Sequence, residues 1–146
     1  MRRRSGGYVL DGHAGALRTG VSMRCGEIRT GGGSYQLDVT DFHRCGVVAR
    51  VGQRPVVRLH PDGCQVPGPG GPARWSPHRG GGVLVRDGGR IEVRQAGRPG
   101  APVRVEVTGP WPELELVALT ACFAVLTRRR KRILTIMAIV GATGHG

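Results

Sequence analysis

The chain is 146 residues long, the length of one domain, and its 26 glycines and 10 prolines punctuate apolar runs, which excludes disorder and indicates a turn-rich β protein. Four scattered cysteines (Cys25, Cys45, Cys64, Cys122) exclude a disulfide-framed module, so reduced thiols in a cytoplasmic protein are expected. The net charge of +12 is uneven: eight of the 22 basic residues lie in two acid-free clusters, Arg2, Arg3, Arg4 and Arg128, Arg129, Arg130, Lys131, Arg132, leaving the body mildly basic.

Residues 1–6 are expected as a flexible basic arm, since "MRRRSGGYVLDGHAG" carries no apolar signal-peptide run after its cations. Residues 7–132 are read as a single β domain. Short strand-like runs separated by turn residues follow the arm, among them "SYQLDVTD", "CGVVARVGQR" and "PVVRLHPDG". Residues 67–82, "PGPGGPARWSPHRGGG", hold ten Gly or Pro in sixteen and are expected as a long loop, with Trp75 either packed back on a sheet or exposed as a stacking tip. Strict alternation is clearest in "GVLVRDGGRIEVRQ", where Asp-Gly-Gly signals a hairpin because glycine tolerates positive φ. "PVRVEVTG" continues the pattern, with Val103, Val105 and Val107 on one face and Arg104 and Glu106 on the other.

A helix is expected over about 112–131, within "WPELELVALTACFAVLTRRRKR" (111–132). Pro112 suits its first position, Glu113 and Glu115 its first turn, and the cations its C-terminal end, where they complement the dipole. The uncharged run between Glu115 and Arg128 has 12 residues, about 18 Å of helix, against a bilayer core of about 30 Å. A second run, "ILTIMAIVGATG", is equally short, so a simple span fails on length. Leu114, Leu116, Val117, Leu119, Phe123, Val125 and Leu126 surround the axis, and a helix apolar on all sides is a buried helix. The strands must therefore enclose it, as an antiparallel β-barrel or a strongly curled sheet. Residues 133–146 are left as an apolar tail that either touches a membrane shallowly or adds a closing strand.

The order of hairpin, last strand and apolar C-terminal helix in "IEVRQAGRPGAPVRVEVTGPWPELELVALTACFAVLTRRRKR" (91–132) resembles the end of the tubby-like superfamily, which includes tubby C-terminal domains, LURP-one-related proteins and phospholipid scramblases. The resemblance is strongest over 82–132 and implies a closed barrel around a central hydrophobic helix. No phosphoinositide- or calcium-binding motif of those families is matched, so it carries over no site.

Catalytic and metal-binding patterns are weak. Asp41, His43 and Cys45 in "DFHRC" would share one face of a strand, but about 7 Å apart stepwise, too far for a Cys–His nucleophile pair. His60 and Cys64 could join His43 and Cys45 in a Cys₂His₂ set, yet no tight Cys-x₂₋₄-Cys knuckle exists. "TGGGS" and "RGGG" lack the Gly-Lys-Ser/Thr of a phosphate loop, because the one lysine, Lys131, ends a helix instead of beginning one. No catalytic residue, metal or cofactor is expected. The charge clusters point to a non-enzymatic protein bound peripherally to anionic phospholipid headgroups at the inner face of the membrane. A nucleic-acid partner and an integral anchor over 112–140 are the alternatives.

Overall fold

The computed structural model describes residues 2–4, 7–9, 15–19, 24–68, 71–95 and 103–141, and side chains within 15–18, 24–68, 71–95 and 103–127. Among these residues eleven strands precede one helix: β1 Arg2–Arg4, β2 Gly7–Val9, β3 Ala16–Thr19, β4 Cys25–Thr30, β5 Gly33–Asp41, β6 Gly46–Val51, β7 Arg54–Leu59, β8 Arg74–His78, β9 Gly81–Arg86, β10 Gly89–Gln95, β11 Val103–Thr108 and α1 Leu114–Gly141. The protein is mainly β, with two antiparallel sheets packed against the C-terminal helix. The first sheet is a meander of β3 to β7, extended at one edge by the three-residue strands β1 and β2; the second runs β11-β10-β9-β8. Arg2–Arg4, read from the sequence as an arm, thus lie in a strand paired with β2.

Two-residue turns set the register. Thr30 pairs with Gly33, Val51 with Arg54, His78 with Gly81 and Arg86 with Gly89. The expected Asp-Gly-Gly hairpin is the last of these, with Gly88 at φ 76°. The expected loop over 67–82 is shorter than the sequence reading, since β8 and the start of β9 lie inside it. Pro77 is accommodated because β8 is an edge strand, where a missing donor breaks no ladder.

Among the described residues no closed barrel is found, in place of the barrel named as one form of the expected enclosure. The free edge of the first sheet is β7, and the chain beyond it folds back so that Arg58 and Gln65 exchange two backbone hydrogen bonds at 2.8 Å. Pro55 removes another donor from that edge, and β8 brings Pro77 to the facing edge of the second sheet. The sheets are joined instead through the core and α1, which packs on β3 to β7 from one side and on β9 and β10 from the other.

Leu116 to Thr127 are all buried, twelve consecutive positions that only a helix walled on every side can bury. Leu17, Ile28, Leu37, Val47, Val57 and Leu59 supply one wall, and Leu84, Ile91 and Val93 the other. The enclosed helix expected from the sequence is present, but its ends differ. Glu113 adopts φ 52°, incompatible with helix, and its carbonyl accepts the first bond from the Val117 N–H at 3.1 Å, so Pro112 and Glu113 precede α1. At the other end α1 runs through Arg132 to Gly141, so the tail is helix over 133–141 and does not supply a closing strand.

Candidate anionic-surface site

The buried stretch of α1 handles its polar groups locally. Thr120 Oγ1 donates to the Leu116 carbonyl at 2.7 Å, and Thr127 Oγ1 to those of Phe123 at 2.8 Å and Ala124 at 3.2 Å. Both hydroxyls are therefore compatible with a water-free environment. One residue past Thr127 the composition changes to five consecutive cations, with no turn between them and the enclosed segment. The side chains of Arg128, Arg129, Arg130, Lys131 and Arg132, like those of Arg2, Arg3 and Arg4, lie outside the described residues. Their backbones place the first group inside α1 and the second in β1.

That placement removes the dipole explanation of the basic run. The last turn of α1 contains no basic residue, and a dipole's influence falls off within about one turn of the end. Residues 128–132 instead sit in the helix interior, nine residues short of Gly141, where like charges at i,i+3 and i,i+4 repel.

The other polar constellation gathers where the β5–β6 turn meets the chain after β7. Asp41, His60, Asp62 and Cys64 help line an open depression of about 670 Å³. His60 Nδ1 accepts the Asp62 backbone N–H at 3.1 Å, so the ring proton sits on Nε2, which faces Asp41 Oδ2 at 3.3 Å. Both ring nitrogens thus have hydrogen-bond partners. The hydrogen bond from His60, supported by the backbone N–H groups of Arg44 and His43, holds the Asp41 carboxyl below the usual carboxylate range. Arg44 grips Asp62 through both guanidinium nitrogens, one at 2.8 Å, and lowers its pKa likewise.

Asp41, His43 and Cys45 do not share a strand face, because 42–45 form a turn and Cys45 takes φ 55°. Cys45 is 2% exposed and its Sγ faces the Ala124 carbonyl at 3.6 Å, inside the core, while His43 is exposed. The Cys64 thiol instead donates to the His60 carbonyl at 3.5 Å, and burial raises its pKa. His43, Cys45, His60 and Cys64 are thus not assembled, and among the described residues no group of three or more His, Cys, Asp or Glu is arranged to hold a metal. Trp75 is 1% exposed and serves the core, not a binding tip.

Sequence reasoning missed Arg86, which is 5% exposed, donates to the Pro67 carbonyl at 3.0 Å and lies 4.8 Å from the centre of the Trp111 ring. Its signal was parity with Leu84, two positions earlier on the inward face of β9, while Val85 is the exposed neighbour.

No family model matches the chain, and no curated protein or solved structure is detectably similar to it. Among the described residues no helix is long and apolar enough to cross a membrane.

Proposed function

We propose that the protein is a non-enzymatic domain of tubby-like type that attaches peripherally to anionic phospholipid headgroups, on the cytoplasmic face of a membrane. One observation carries this reading: five consecutive cations lie within α1 immediately after its enclosed segment, too far from the helix end to serve its dipole. A Lys or Arg near an acidic bilayer contributes about 1 kcal/mol, so five contribute on the order of 5 kcal/mol, enough for measurable, salt-sensitive attachment. Arg2, Arg3 and Arg4 add to the same attraction. The resemblance to the tubby-like superfamily supports the reading as far as one apolar helix between antiparallel sheets.

Flotation of the purified full chain with neutral and with acidic phospholipid vesicles, at low and high salt, tests it. Flotation with acidic vesicles alone, weakened by salt and lost when residues 128–132 are all replaced by Gln, is the expected result. Equal flotation with both vesicle types, indifferent to salt, would replace peripheral attachment with integral insertion. Failure to float, together with salt-sensitive binding to duplex DNA or RNA, would transfer the cations to a nucleic-acid partner.

A further inference from the structure

We propose, on the footing of the anionic-surface reading, that α1 meets an acidic membrane end-on: residues 128–132 form a collar at the lipid phosphates, and residues 133–140 enter the acyl region of one leaflet.

The direction of the helix is set by the fold. Leu116 to Thr127 are held on all sides by the two sheets, and α1 is continuous from Leu114 to Gly141. Neither proline nor glycine occurs between Leu114 and Val140, so the usual causes of a sharp kink are missing from the sequence there. Residues 128–141 therefore continue the axis of the held segment. A 28-residue helix is about 42 Å long, of which the enclosed stretch Leu116 to Thr127 takes about 18 Å. Fourteen residues of α1, about 21 Å of helix, follow Thr127.

The order of residues then selects an orientation. Successive helical positions advance by about 100°, so the five cations at 128–132 pass once around the axis. The eight positions 133–140, "ILTIMAIV", carry no charge and pass around it about twice. Neither segment has the one-sided pattern of a helix lying flat in the interface. A charged ring followed by an uncharged tip instead matches the layering of a leaflet along its normal. The tip is about 12 Å long, less than half of a hydrocarbon core of about 30 Å, so it reaches into one leaflet without spanning the bilayer.

Depth-dependent quenching decides the matter. Leu134→Trp and Ile139→Trp are made separately in the full chain and bound to vesicles of phosphatidylserine and phosphatidylcholine. The phosphatidylcholine is brominated either near the headgroup end or near the methyl end of its acyl chains. Trp75 and Trp111 are 1% and 8% exposed and supply a constant background, measured on the parent protein. End-on entry places the two probes about 7.5 Å apart in depth. Tryptophan at 134 is then quenched more by the shallow bromines and tryptophan at 139 more by the deep ones. Equal, shallow quenching of both would mean a flat helix and overturn the proposal. Vesicle binding with no quenching of either would overturn insertion while leaving headgroup binding intact. Absence of vesicle binding by the parent protein would overturn both.

Discussion

The indole N–H of Trp75, on β8 of the second sheet, donates to the carbonyl oxygen of Cys45 at 3.0 Å, in the turn leading into β6 of the first. Among the described residues the sheets share no ladder, so this bond ties them directly, in addition to their common packing on α1. The left-handed φ of 55° at Cys45 accompanies a carbonyl directed at Trp75 and a thiol directed at Ala124 of the helix. One turn residue thus contacts both other layers.

Trp75→Phe is expected to destabilise by about 1–3 kcal/mol, because the buried Cys45 carbonyl loses its donor and the smaller ring leaves space. Gly82 offers an independent check. A Cβ there would lie 2.8 Å from Cζ2 and 3.0 Å from Cζ3 of the Trp75 ring, so Gly82→Ala should itself destabilise. Phenylalanine lacks the outer indole ring that causes this overlap. In a urea-denaturation double-mutant cycle, Gly82→Ala should therefore cost less in the Trp75→Phe background than in the parent. Strict additivity would show that the alanine is accommodated elsewhere.

Arg86→Met is expected to cost about 2 kcal/mol or more, even though it keeps an apolar stem of similar length. The Pro67 carbonyl loses its donor and the Trp111 ring loses the cation 4.8 Å from its centre. Arg86→Lys should recover only part of the loss, because an ammonium does not stack as a planar guanidinium does. Equal stability of the methionine and parent proteins in chemical denaturation would show that both contacts are dispensable.

Strand pairs with strict alternation and a glycine turn were legible in the sequence, as β9 and β10 show, because local chemistry alone fixes a hairpin. The enclosed helix was legible for a similar reason: twelve uncharged residues covering every side of the axis admit few other environments. Barrel closure was not legible, since it depends on whether β7 meets β8 or is covered by Gln65, and no local pattern near His60 encodes that choice. The helix end was misjudged because the cations resembled a C-terminal complement to the dipole, whereas no stop signal occurs before Gly141. The cation cluster itself was plain from composition, and its interior position in α1 required the structure.

The tie between Asp41 and His60 predicts a contribution to stability in acid. The folded state holds the Asp41 carboxyl low, so the unfolded chain binds its proton more readily. The contribution is complete above the unfolded carboxylate range and is lost as pH falls through the folded value, below about pH 4. Asp41→Asn should therefore lower the melting temperature at neutral pH and flatten its decline between about pH 4 and pH 2. A variant with the same acid slope as the parent would assign the decline to other carboxylates, Asp62 first among them, since Arg44 lowers it in the same sense.

Two residues four apart in sequence separate the energetics of the enclosed helix. Phe123 is fully buried, and a Cβ on Gly26 of β4 would lie 3.1 Å from its Cε1, so the ring is seated directly against the sheet. Phe123→Ala is expected to cost about 3–5 kcal/mol through lost burial and a residual cavity. Thr127 is 2% exposed and its hydroxyl bonds only to carbonyls of its own helix, which already serve the backbone ladder. Thr127→Val preserves its shape and removes a hydroxyl whose hydrogen bonds, among the described residues, go to carbonyls of α1. It should change stability by less than about 1 kcal/mol in either direction. Thermal denaturation of the two variants distinguishes an enclosed helix from one with a wet face. On a wet face the phenylalanine would cost little and the valine would expose apolar surface to no benefit. Within the core the ordering is reversed, and the two variants should differ by several degrees or more in melting temperature.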